Sequence, residues 1–385
     1  MKVLYILHSI IQGGATISFI HMIEGLKKYG VEPIIVHPKG DNLIFEEFIK
    51  RNNIKEYVID LDMSIYWMPK RLKSTIGLIR VMYRKWEREC QETYVLLEIL
   101  KKEKPDIVHT NTGVIHTGFY AARRCNIPHV WHLREYQDKD FGWKIFPTKS
   151  IFQKMLKQSN VISVTQDILH HFHLAKSSTV KCIYNGCLSE KTVNYNWPKQ
   201  NYFLCTNQII RSKGMDDVID GFAQFYKTHI DYKLIICGFG DQAYIEHLKS
   251  IAESKGCASA IEWRGFVHDT PALMEEAKAL IVASLSEGFG RMSAEACLKG
   301  CIVIGRNTAG TKEILDKTGG CKFNTLQEMV EQMVHISDMC EDEYAAIALA
   351  AQKVALQLYT TESNFTQVFE FYNQVLSNIK EACQN

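Results

Sequence analysis

Two glutamates eight positions apart, Glu287 and Glu295, are the side chains of this sequence best placed for chemistry on a phosphorylated ligand. A Gly-Phe-Gly stretch (288–290) follows the first, a β-rich run precedes it, and a helical pattern covers about 292–299. Glycines let a phosphate approach the backbone, and the first N–H groups of a helix have no partner within it. The pattern predicts a nucleotide-sugar site, with Glu287 in the loop and Glu295 accepting hydrogen bonds from sugar hydroxyls.

Two other positions carry groups suited to a phosphate. Gly13 and Gly14 lie between a predicted strand and a predicted helix, where their backbone N–H groups can contact a phosphate or a second substrate. The alternative for them is a tight turn that requires positive φ. Lys213 follows another predicted strand, and its flexible ammonium suits a diphosphate leaving group, although a solvated surface lysine has the same pattern.

Polar side chains also follow two predicted strands in the first half of the chain. His132, Arg134 and Glu135 follow one of them, and Asn111 follows the other. Polar residues clustered at the carboxyl end of a strand favour a binding site. His132 is then a candidate to donate a hydrogen bond to a bound ligand, and the other three are candidates to line the same pocket. The structural alternatives are a buried histidine, an Arg134–Glu135 ion pair that positions the loop, and a turn at Asn111.

The elements that must position these residues follow a regular alternation of short apolar runs and helical patterns. This alternation predicts parallel sheets covered on both faces by helices. Two series of strands are predicted, over 3–7, 32–36, 107–110, 130–132 and 161–164, and over 202–205, 233–237, 261–263, 279–283 and 302–305. A boundary is predicted near 187–200 and a final helix over 362–380. Two doubly wound α/β domains are expected, with ligands at the carboxyl ends of their strands.

Composition limits the class of protein. The 385 residues suit two domains, and 46% hydrophobic with 23% charged residues is typical of soluble globular proteins. A net charge of +2 gives no argument for nucleic acid. The twelve cysteines contain no CxxC pair or zinc-like cluster, which predicts reduced thiols in the cytoplasm. The first apolar run is predicted to be a strand rather than a signal peptide, and no stretch is long enough to span a membrane.

Taken in order, the motifs resemble those of retaining glycosyltransferase family 4. Members of that family have the GT-B fold, in which two Rossmann-like, doubly wound domains face a central cleft. The resemblance is strongest over about 184–315. The motifs are Gln12-Gly13-Gly14, Asn185-Gly186, Lys213-Gly214, Gly238-Phe239-Gly240, Arg264-Gly265-Phe266-Val267, the Glu287/Glu295 pair and Thr308-Ala309-Gly310-Thr311-Lys312-Glu313.

The resemblance implies roles for the matching residues. Lys213 would stabilise the diphosphate, Glu295 would bind the ribose, and Glu287 would lie beside the transferred sugar. The other positions implied to bind the donor are Gly13, Gly14, Arg211, Gly238, Val267, Phe289 and Gly290. The family's arginine five residues before the lysine is replaced here by Gln208, so Arg211 is the candidate to compensate.

The resemblance also implies an activity. Residues 1–187 would bind the acceptor and be joined by a helix over 362–382, and residues 188–361 would bind the donor. His132 matches the family's histidine near the sugar and would donate a hydrogen bond to a sugar hydroxyl or to developing charge. Arg134, Glu135 and Asn111 are the candidates for the acceptor pocket. The expected enzyme is a hexosyltransferase-type glycosyltransferase. It would move one sugar from a nucleotide-diphosphate sugar to a glycan with retention of anomeric configuration. UDP-sugar is favoured over GDP-sugar as the donor. No metal is needed, because Lys213 and helix N-termini can hold the diphosphate.

Two alternatives stay open: a GT-B-fold nucleotide-sugar epimerase, and a catalytically weak subunit that binds nucleotide sugar or a partner.

The segment 63–90 interleaves basic and aromatic residues. This pattern is typical of a helix on an anionic membrane surface, and it is equally compatible with an amphipathic helix packed on the domain with a solvated basic face. The first interpretation predicts a protein peripheral on the inner face of the cell membrane. Its acceptor would then be a polyprenyl-linked or other lipid-linked glycan of surface polysaccharide biosynthesis.

Overall fold

The Val-, Ile- and Leu-rich runs of the sequence form two parallel sheets, each covered by helices. The computed structural model describes residues 1–11, 13–66 and 75–384. The chain divides into a first unit of Met1–Gly186 with Thr361–Asn385 and a second unit of Cys187–Thr360. The predicted architecture of two Rossmann-like α/β domains is therefore confirmed.

The sheet of the first unit has seven strands in the order β3-β2-β1-β5-β6-β8-β9, and two further short strands, β4 and β7, pair antiparallel with each other. The order reverses between the neighbours β1 and β5, which is where open α/β sheets bind ligands. The strands are β1 (Lys2–Ile6), β2 (Glu32–His37), β3 (Lys55–Val58), β4 (Ile65–Tyr66), β5 (Ile107–Thr110), β6 (His129–Leu133), β7 (Lys144–Ile145), β8 (Asn160–Ser163) and β9 (Val180–Cys182).

Seven helices lie among these strands in the described residues up to position 186, and the final helix, described below, also belongs to this unit. They are α1 (Gly14–Lys28), α2 (Leu43–Arg51), α3 (Thr75–Glu103), α4 (Thr117–Arg124), α5 (Asp138–Phe141), α6 (Lys149–Lys157) and α7 (Gln166–His171). Helix α3 includes residues 75–90 of the segment 63–90, for which both interpretations in the sequence analysis expected a helix. The basic residues Lys70, Arg71 and Lys73 of the segment 63–90 lie outside the described residues, as does Gln12. None of the helices described is both long and apolar enough to cross a membrane.

The second unit repeats the doubly wound plan with six strands in the order β12-β11-β10-β13-β14-β15, and its order reverses between β10 and β13. The strands are β10 (Gln200–Thr206), β11 (Lys233–Cys237), β12 (Ile261–Gly265), β13 (Ala277–Val282), β14 (Ile302–Arg306) and β15 (Cys321–Phe323). The helices are α8 (Met215–Tyr226), α9 (Gln242–Ser254), α10 (Thr270–Glu276), α11 (Arg291–Leu298), α12 (Ala309–Thr318), α13 (Leu326–Asp338) and α14 (Glu341–Leu358).

The final helix, α15 (Thr361–Gln384), returns to the first unit and packs on α1. Its apolar side chains at 365, 368, 371, 372 and 375 are buried in the same core cluster as β1 and α1. Gly25 of α1 permits the close approach, because a Cβ at this position would overlap the ring of Phe365. The core of the first unit is therefore built from both ends of the chain.

Candidate active site

Lys213 and Glu287 meet where the strand order of the second unit reverses. Lys213 ends a short 3-10 turn (Arg211–Lys213) after β10, and Glu287 lies in the loop after β13. The Lys213 ammonium donates to Glu287 Oε1 at 2.6 Å, and the Ser284 hydroxyl donates to the same oxygen at 2.7 Å. Both side chains of the ion pair stay about one-fifth exposed. The structure thus brings together two residues that the sequence singled out separately.

Gly214 permits the close backbone contact that positions this ion pair. It has φ +67° at the start of α8, and a Cβ at this position would overlap the backbone oxygen of Ala283. The backbone N–H of Leu285 also donates to Ser212 O at 2.9 Å. The turn after β10 is therefore packed backbone to backbone against the loop after β13, which fixes Lys213 beside Glu287.

We expect Gly214→Ala to lower the free energy of unfolding by about 3 kcal/mol, because it adds a clash with Ala283 to the strain of a left-handed conformation. Urea unfolding of the purified variant measures this cost. Gly256→Ala is the matched control, since Gly256 has φ +73° with open space around it. It should cost only about 1 kcal/mol. Equal costs for the two variants would contradict the proposed packing.

Helices α11 and α12 begin side by side in the second unit. Gly290, with φ +89°, is the residue before α11, and Thr311 N and Thr311 Oγ1 lie 3.4 Å from the position that its Cβ would take. Gly310 donates its N–H to Glu287 O at 2.9 Å, and a Cβ on Gly310 would lie 2.5 Å from Phe289 O. The hydroxyls of Thr311 and Ser293 are buried without a hydrogen-bond partner among the described residues.

Three helices of the second unit begin without a side-chain cap. The residues before α8, α11 and α12 make no side-chain cap hydrogen bond, whereas the residues before α9, α10 and α13 each do. An uncapped helix start presents backbone N–H groups and the positive end of the helix dipole to an anion. Although the Gly310 N–H of α12 already donates to Glu287 O, the positive dipole ends of three such helices after β10, β13 and β14 make this edge of the sheet suited to a diphosphate.

Glu295 is buried inside α11 rather than exposed at its surface. Its carboxylate accepts from Arg291 Nε at 2.7 Å, and Arg291 Nη2 also donates to Cys187 O at 2.8 Å. Burial raises the pKa of Glu295, and the neighbouring guanidinium opposes that shift. The sequence analysis missed this partner, although the i,i+4 spacing of Arg291 and Glu295 was a usable signal.

The remaining donor candidates follow β10, β11 and β12. Gly238 donates its N–H to Gly265 O at 2.7 Å, and a Cβ on it would overlap Asn207 O, so the three loops are in contact. Val267 is half-buried in the loop after β12. Arg211 lies over the Tyr244 ring at 4.8 Å, and it makes no described contact with Glu287.

Gln208, which replaces the family's arginine, is exposed in the loop after β10. The Arg211 side chain packs on α9 through its contact with the Tyr244 ring, and this side chain is 73% exposed. The described contacts therefore give no sign that Arg211 takes the place of the missing arginine.

In the first unit, Arg134 connects the ends of three strands. Its Nε and Nη2 donate to Asn111 Oδ1 at 3.0 and 2.8 Å, and its Nη1 donates to Asn185 Oδ1 at 2.6 Å. Glu135 accepts from the Thr112 hydroxyl at 2.6 Å. These contacts place Arg134 and Asn111 at the carboxyl ends of the neighbouring strands β6 and β5.

His8 is a residue that the sequence analysis missed at this edge. It follows β1, and burial together with the charge of Arg134 lowers its pKa to about 4. Its position directly after the first strand was the available signal. Gly13 and Gly14 follow on the same loop and open α1. Gly13 is extended, with φ −176°, so positive φ is not the reason for glycine there.

His132 is completely buried in β6. Its Nδ1 lies 3.2 Å from His109 Nε2, and its Nε2 has no hydrogen-bond partner among the described residues. Burial, reinforced by the charge of Arg134, holds the pKa of His132 well below its usual range. The ring is therefore neutral, with one unused nitrogen. No three His, Cys, Asp or Glu side chains of the described residues are grouped as metal ligands.

Two doubly wound units of this kind are the architecture of the GT-B fold, and the comparisons with known proteins add a glycosyltransferase of the hexosyltransferase type. Residues 12–188 match the model of Glycosyltransferase Family 4, and residues 190–342 match that of Glycosyl transferases group 1. The chain belongs to glycosyltransferase family 4, and the resemblance noted in its motifs is confirmed.

Individual proteins agree with this classification. The chain is 23% identical over 360 residues to alpha-monoglucosyldiacylglycerol synthase of Acholeplasma laidlawii, covering 84% of each protein. A glycosyltransferase from Rickettsia africae superposes with a TM-score of 0.75 at 18% identity, covering 98% of this chain and 99% of that one. Anabaena Alr3699/HepE, solved in complex with UDP and glucose, superposes with a TM-score of 0.73 at 19% identity. The match covers 96% of this chain and 98% of that one. At these identities the structures establish the shared fold.

Proposed function

We propose that this enzyme transfers one sugar from a nucleotide-diphosphate sugar to a glycan acceptor with retention of anomeric configuration. In this proposal the second unit binds the donor and the first unit binds the acceptor. The observation that carries the proposal is the set of three uncapped helix starts beside the Lys213–Glu287 pair.

The helix starts and Lys213 suit a diphosphate that becomes more negative as it leaves. Fixed N–H dipoles and an ammonium favour that charge without reorganising. As the bond from the sugar C1 to the phosphate oxygen breaks, a bond from C1 to the acceptor oxygen forms. The acceptor's proton passes to the departing phosphate on the same face of the sugar. Glu287, held by Lys213 and Ser284, is then placed to accept a hydrogen bond from a hydroxyl of the transferred sugar.

An exposed aromatic pair supports a nucleotide donor. Phe239, after β11, and Phe266, after β12, are 58% and 50% exposed, and their ring centroids lie 6.3 Å apart. Aromatic rings at a strand end offer a stacking surface for a base. Val267 follows on the same loop. We propose UDP-sugar as the donor, supported by the UDP and glucose bound to Alr3699/HepE.

A test of this function measures the melting temperature of the purified protein with UDP-, GDP-, ADP- and dTDP-sugars, without metal and with Mg²⁺. A ligand that binds only the folded protein raises that temperature by mass action. We expect the largest shift with a UDP-sugar. Nuclear magnetic resonance of the product then gives its anomeric configuration. An inverted product would overturn the retaining mechanism. Turnover of the donor alone, without an acceptor, would indicate an epimerase. Binding without turnover would indicate a binding subunit in which Gln208 has removed the positive charge of the family's arginine.

One side of α3 supports a lipid-borne acceptor, polyprenyl-linked or otherwise. Ile79, Tyr83 and Trp86 are 66%, 58% and 56% exposed, at the i, i+4, i+7 spacing of a single helix face. We call these three residues the α3 stripe. The exposed residues Arg80 and Arg84 lie beside it at helical spacing. Aromatic side chains next to arginines suit the headgroup level of an anionic membrane. The named product of the Acholeplasma relative, a glycosylated diacylglycerol, agrees with a lipid acceptor.

We therefore propose reversible attachment to the inner face of the cell membrane and a role in surface polysaccharide biosynthesis. The double variant Ile79→Ser/Trp86→Ser should bind vesicles containing anionic phosphatidylglycerol at least about tenfold more weakly, because it removes two apolar side chains from the interface. Vesicle co-sedimentation measures the partition. Since both side chains are exposed, the melting temperature should stay unchanged.

Ile230→Ser is the matched control for the α3 stripe, since Ile230 is 75% exposed in the second unit. It should bind vesicles like the unmodified protein. Higher salt should weaken the binding of both the unmodified protein and the control, because the arginine contribution is screened. Equal binding of the double variant and Ile230→Ser to vesicles would contradict the membrane proposal. The interpretation of 63–90 would then be an amphipathic helix packed on the domain with a solvated basic face.

A further inference from the structure

The first half of α3 depends on polar contacts for its position on the first unit. None of the residues 77–91 is fully buried, whereas Leu96, Ile99 and Leu100 near the end of the helix belong to a core cluster. The α3 stripe lies in this first half. A segment without fully buried apolar side chains opens at a low cost in free energy, so the polar contacts decide how firmly it is docked.

A small cavity between α3 and the segment after β3 is lined by three carboxyl groups, those of Asp62, Glu89 and Glu92, together with Lys85. Its volume is about 10 Å³, which is room for about one water molecule. The Asp62 N–H donates to Glu92 Oε1 at 2.8 Å, and the Ser64 hydroxyl donates to Glu89 Oε1 at 2.7 Å. The carboxyl groups of α3 therefore connect the helix to the segment after β3.

Two of the three carboxyl groups have a cation as partner, and the third does not. Lys85 Nζ donates to Asp62 Oδ2 at 2.9 Å, and Arg88 Nε donates to Glu92 Oε1 at 3.0 Å. No lysine or arginine of the described residues forms an ion pair with Glu89. A negative charge on Glu89 would therefore be unpaired, in a largely buried site beside two further carboxyl groups.

The other neighbours of Glu89 that can titrate lie on α4 and directly before it. His116 Nδ1 is 3.8 Å from Glu89 Oε1, and burial lowers the pKa of His116 to about 3. Burial and the charge of Glu89 raise the pKa of Tyr120 to about 12. Both side chains are therefore neutral between pH 6 and pH 8, and neither supplies a charge to balance Glu89.

We propose that a proton on Glu89 keeps the first half of α3 docked on the first unit, so that rising pH loosens the part of the helix that carries the α3 stripe. The cavity, the two occupied ion pairs and the unpaired third carboxyl carry this proposal. It goes beyond the function proposed above, since neither a sugar nor a membrane is needed for the change. It would make the rigidity of the α3 stripe depend on pH.

The sign of the effect follows from the two states of Glu89. Burial raises its pKa from the usual 4.5 to about 7 when α3 is docked, and the neighbouring carboxyl groups act in the same direction. In the open helix the usual value applies, so the docked form binds the proton more tightly. The resulting stabilisation is complete below about pH 4.5 and is lost as pH rises through about 7. Between pH 6 and pH 8, the ratio of docked to open helix should fall about tenfold.

Hydrogen exchange of the purified protein at pH 6 and pH 8 measures the docking of α3. After correction for the intrinsic exchange rate, amide protection over 80–92 should be about tenfold lower at pH 8. Protection over 96–102 should stay unchanged, because that part of the helix is held by the core. Glu89→Gln has a neutral side chain at both pH values, so it should keep most of its protection over 80–92 at pH 8.

Glu98→Gln is the matched control, because Glu98 also belongs to α3 but pairs with Lys101 on the exposed surface. It should show the same pH dependence as the unmodified protein. Nuclear magnetic resonance of protein labelled with ¹³C-glutamate follows the Glu89 carboxyl directly, assigned by its loss in Glu89→Gln. Its midpoint should lie near pH 7. Lys85→Met should move that midpoint to higher pH, because the charge of Lys85 lowers the pKa of Glu89.

Three results would overturn the proposal: a Glu89 midpoint near pH 4.5, pH-independent protection over 80–92 in the unmodified protein, or the same loss of protection in Glu89→Gln. A lower midpoint in Lys85→Met would contradict the charge balance on which it rests. All of these measurements use the protein without sugar or vesicles. Their outcome is therefore separate from that of the proposed function, whose failure would appear as no donor binding or transfer.

Discussion

Lys213→Ala is expected to lower kcat/KM for sugar transfer by about 10²- to 10³-fold. The Lys213 ammonium is one of the groups proposed to stabilise the departing diphosphate, and loss of one fixed donor at a developing charge has an effect of about this size. The variant also frees Glu287 from the ion pair that holds its carboxylate. Steady-state kinetics with a UDP-sugar and a glycolipid acceptor measure the change, with most of it expected in kcat.

The control for this variant is Lys233→Ala. Lys233 belongs to the same unit and also pairs with a glutamate, Glu262, at 2.7 Å, but its side chain is more than half exposed at the start of β11. Its replacement should leave kcat/KM within about twofold, since exposed ion pairs contribute little. A drop of less than fivefold in Lys213→Ala would remove Lys213 from the proposed catalytic residues.

Glu295→Ala is expected to destabilise the second unit by about 3–5 kcal/mol. It leaves the buried Arg291 guanidinium without the carboxylate that it contacts at 2.7 Å, and an uncompensated buried charge costs about this much. Urea unfolding should show a clearly lower midpoint. Asp316→Ala is the control, because Asp316 forms an i,i+4 pair with Lys312 in the same unit on a partly exposed surface. It should cost less than about 1 kcal/mol.

The burial of Glu295 also determines how its proposed contact with the ribose must be tested. A loss of donor affinity in Glu295→Ala would combine local unfolding with loss of the contact. Glu295→Gln keeps an oxygen beside Arg291 and is the better variant for titration with UDP. If Glu295→Gln is folded and binds UDP as tightly as the unmodified protein, the ribose assignment is wrong.

Much of the fold could be predicted from the sequence because the central strands are continuous apolar runs. Strands β1, β5 and β13 lie within a residue or two of their predicted bounds. The strands that were missed are short or at the edge. Two of the four residues in β3, for example, are charged, so no apolar run indicates a strand there.

The candidate site was predictable where it depends on local sequence. The glycines around Glu287 and the lysine after β10 have recognisable spacing, and the structure brings Lys213 and Glu287 into contact. The buried contact between Tyr372 and His109 was not predictable, because the two residues lie 263 positions apart. Nothing in the local pattern of α15 distinguishes Tyr372 from any other core aromatic residue.

Helix α15 follows the whole second unit in the chain, yet it completes the first unit. The second unit therefore has all its strands before the first unit has its final helix. Until then, α1 lacks the cover of Phe365 at Gly25, and His109 lacks its contact with Tyr372. A chain that stops short of α15 would present this apolar surface to chaperones and proteases. Because α15 is synthesised after the second unit, only a chain translated through α15 can cover α1 and give His109 its contact with Tyr372.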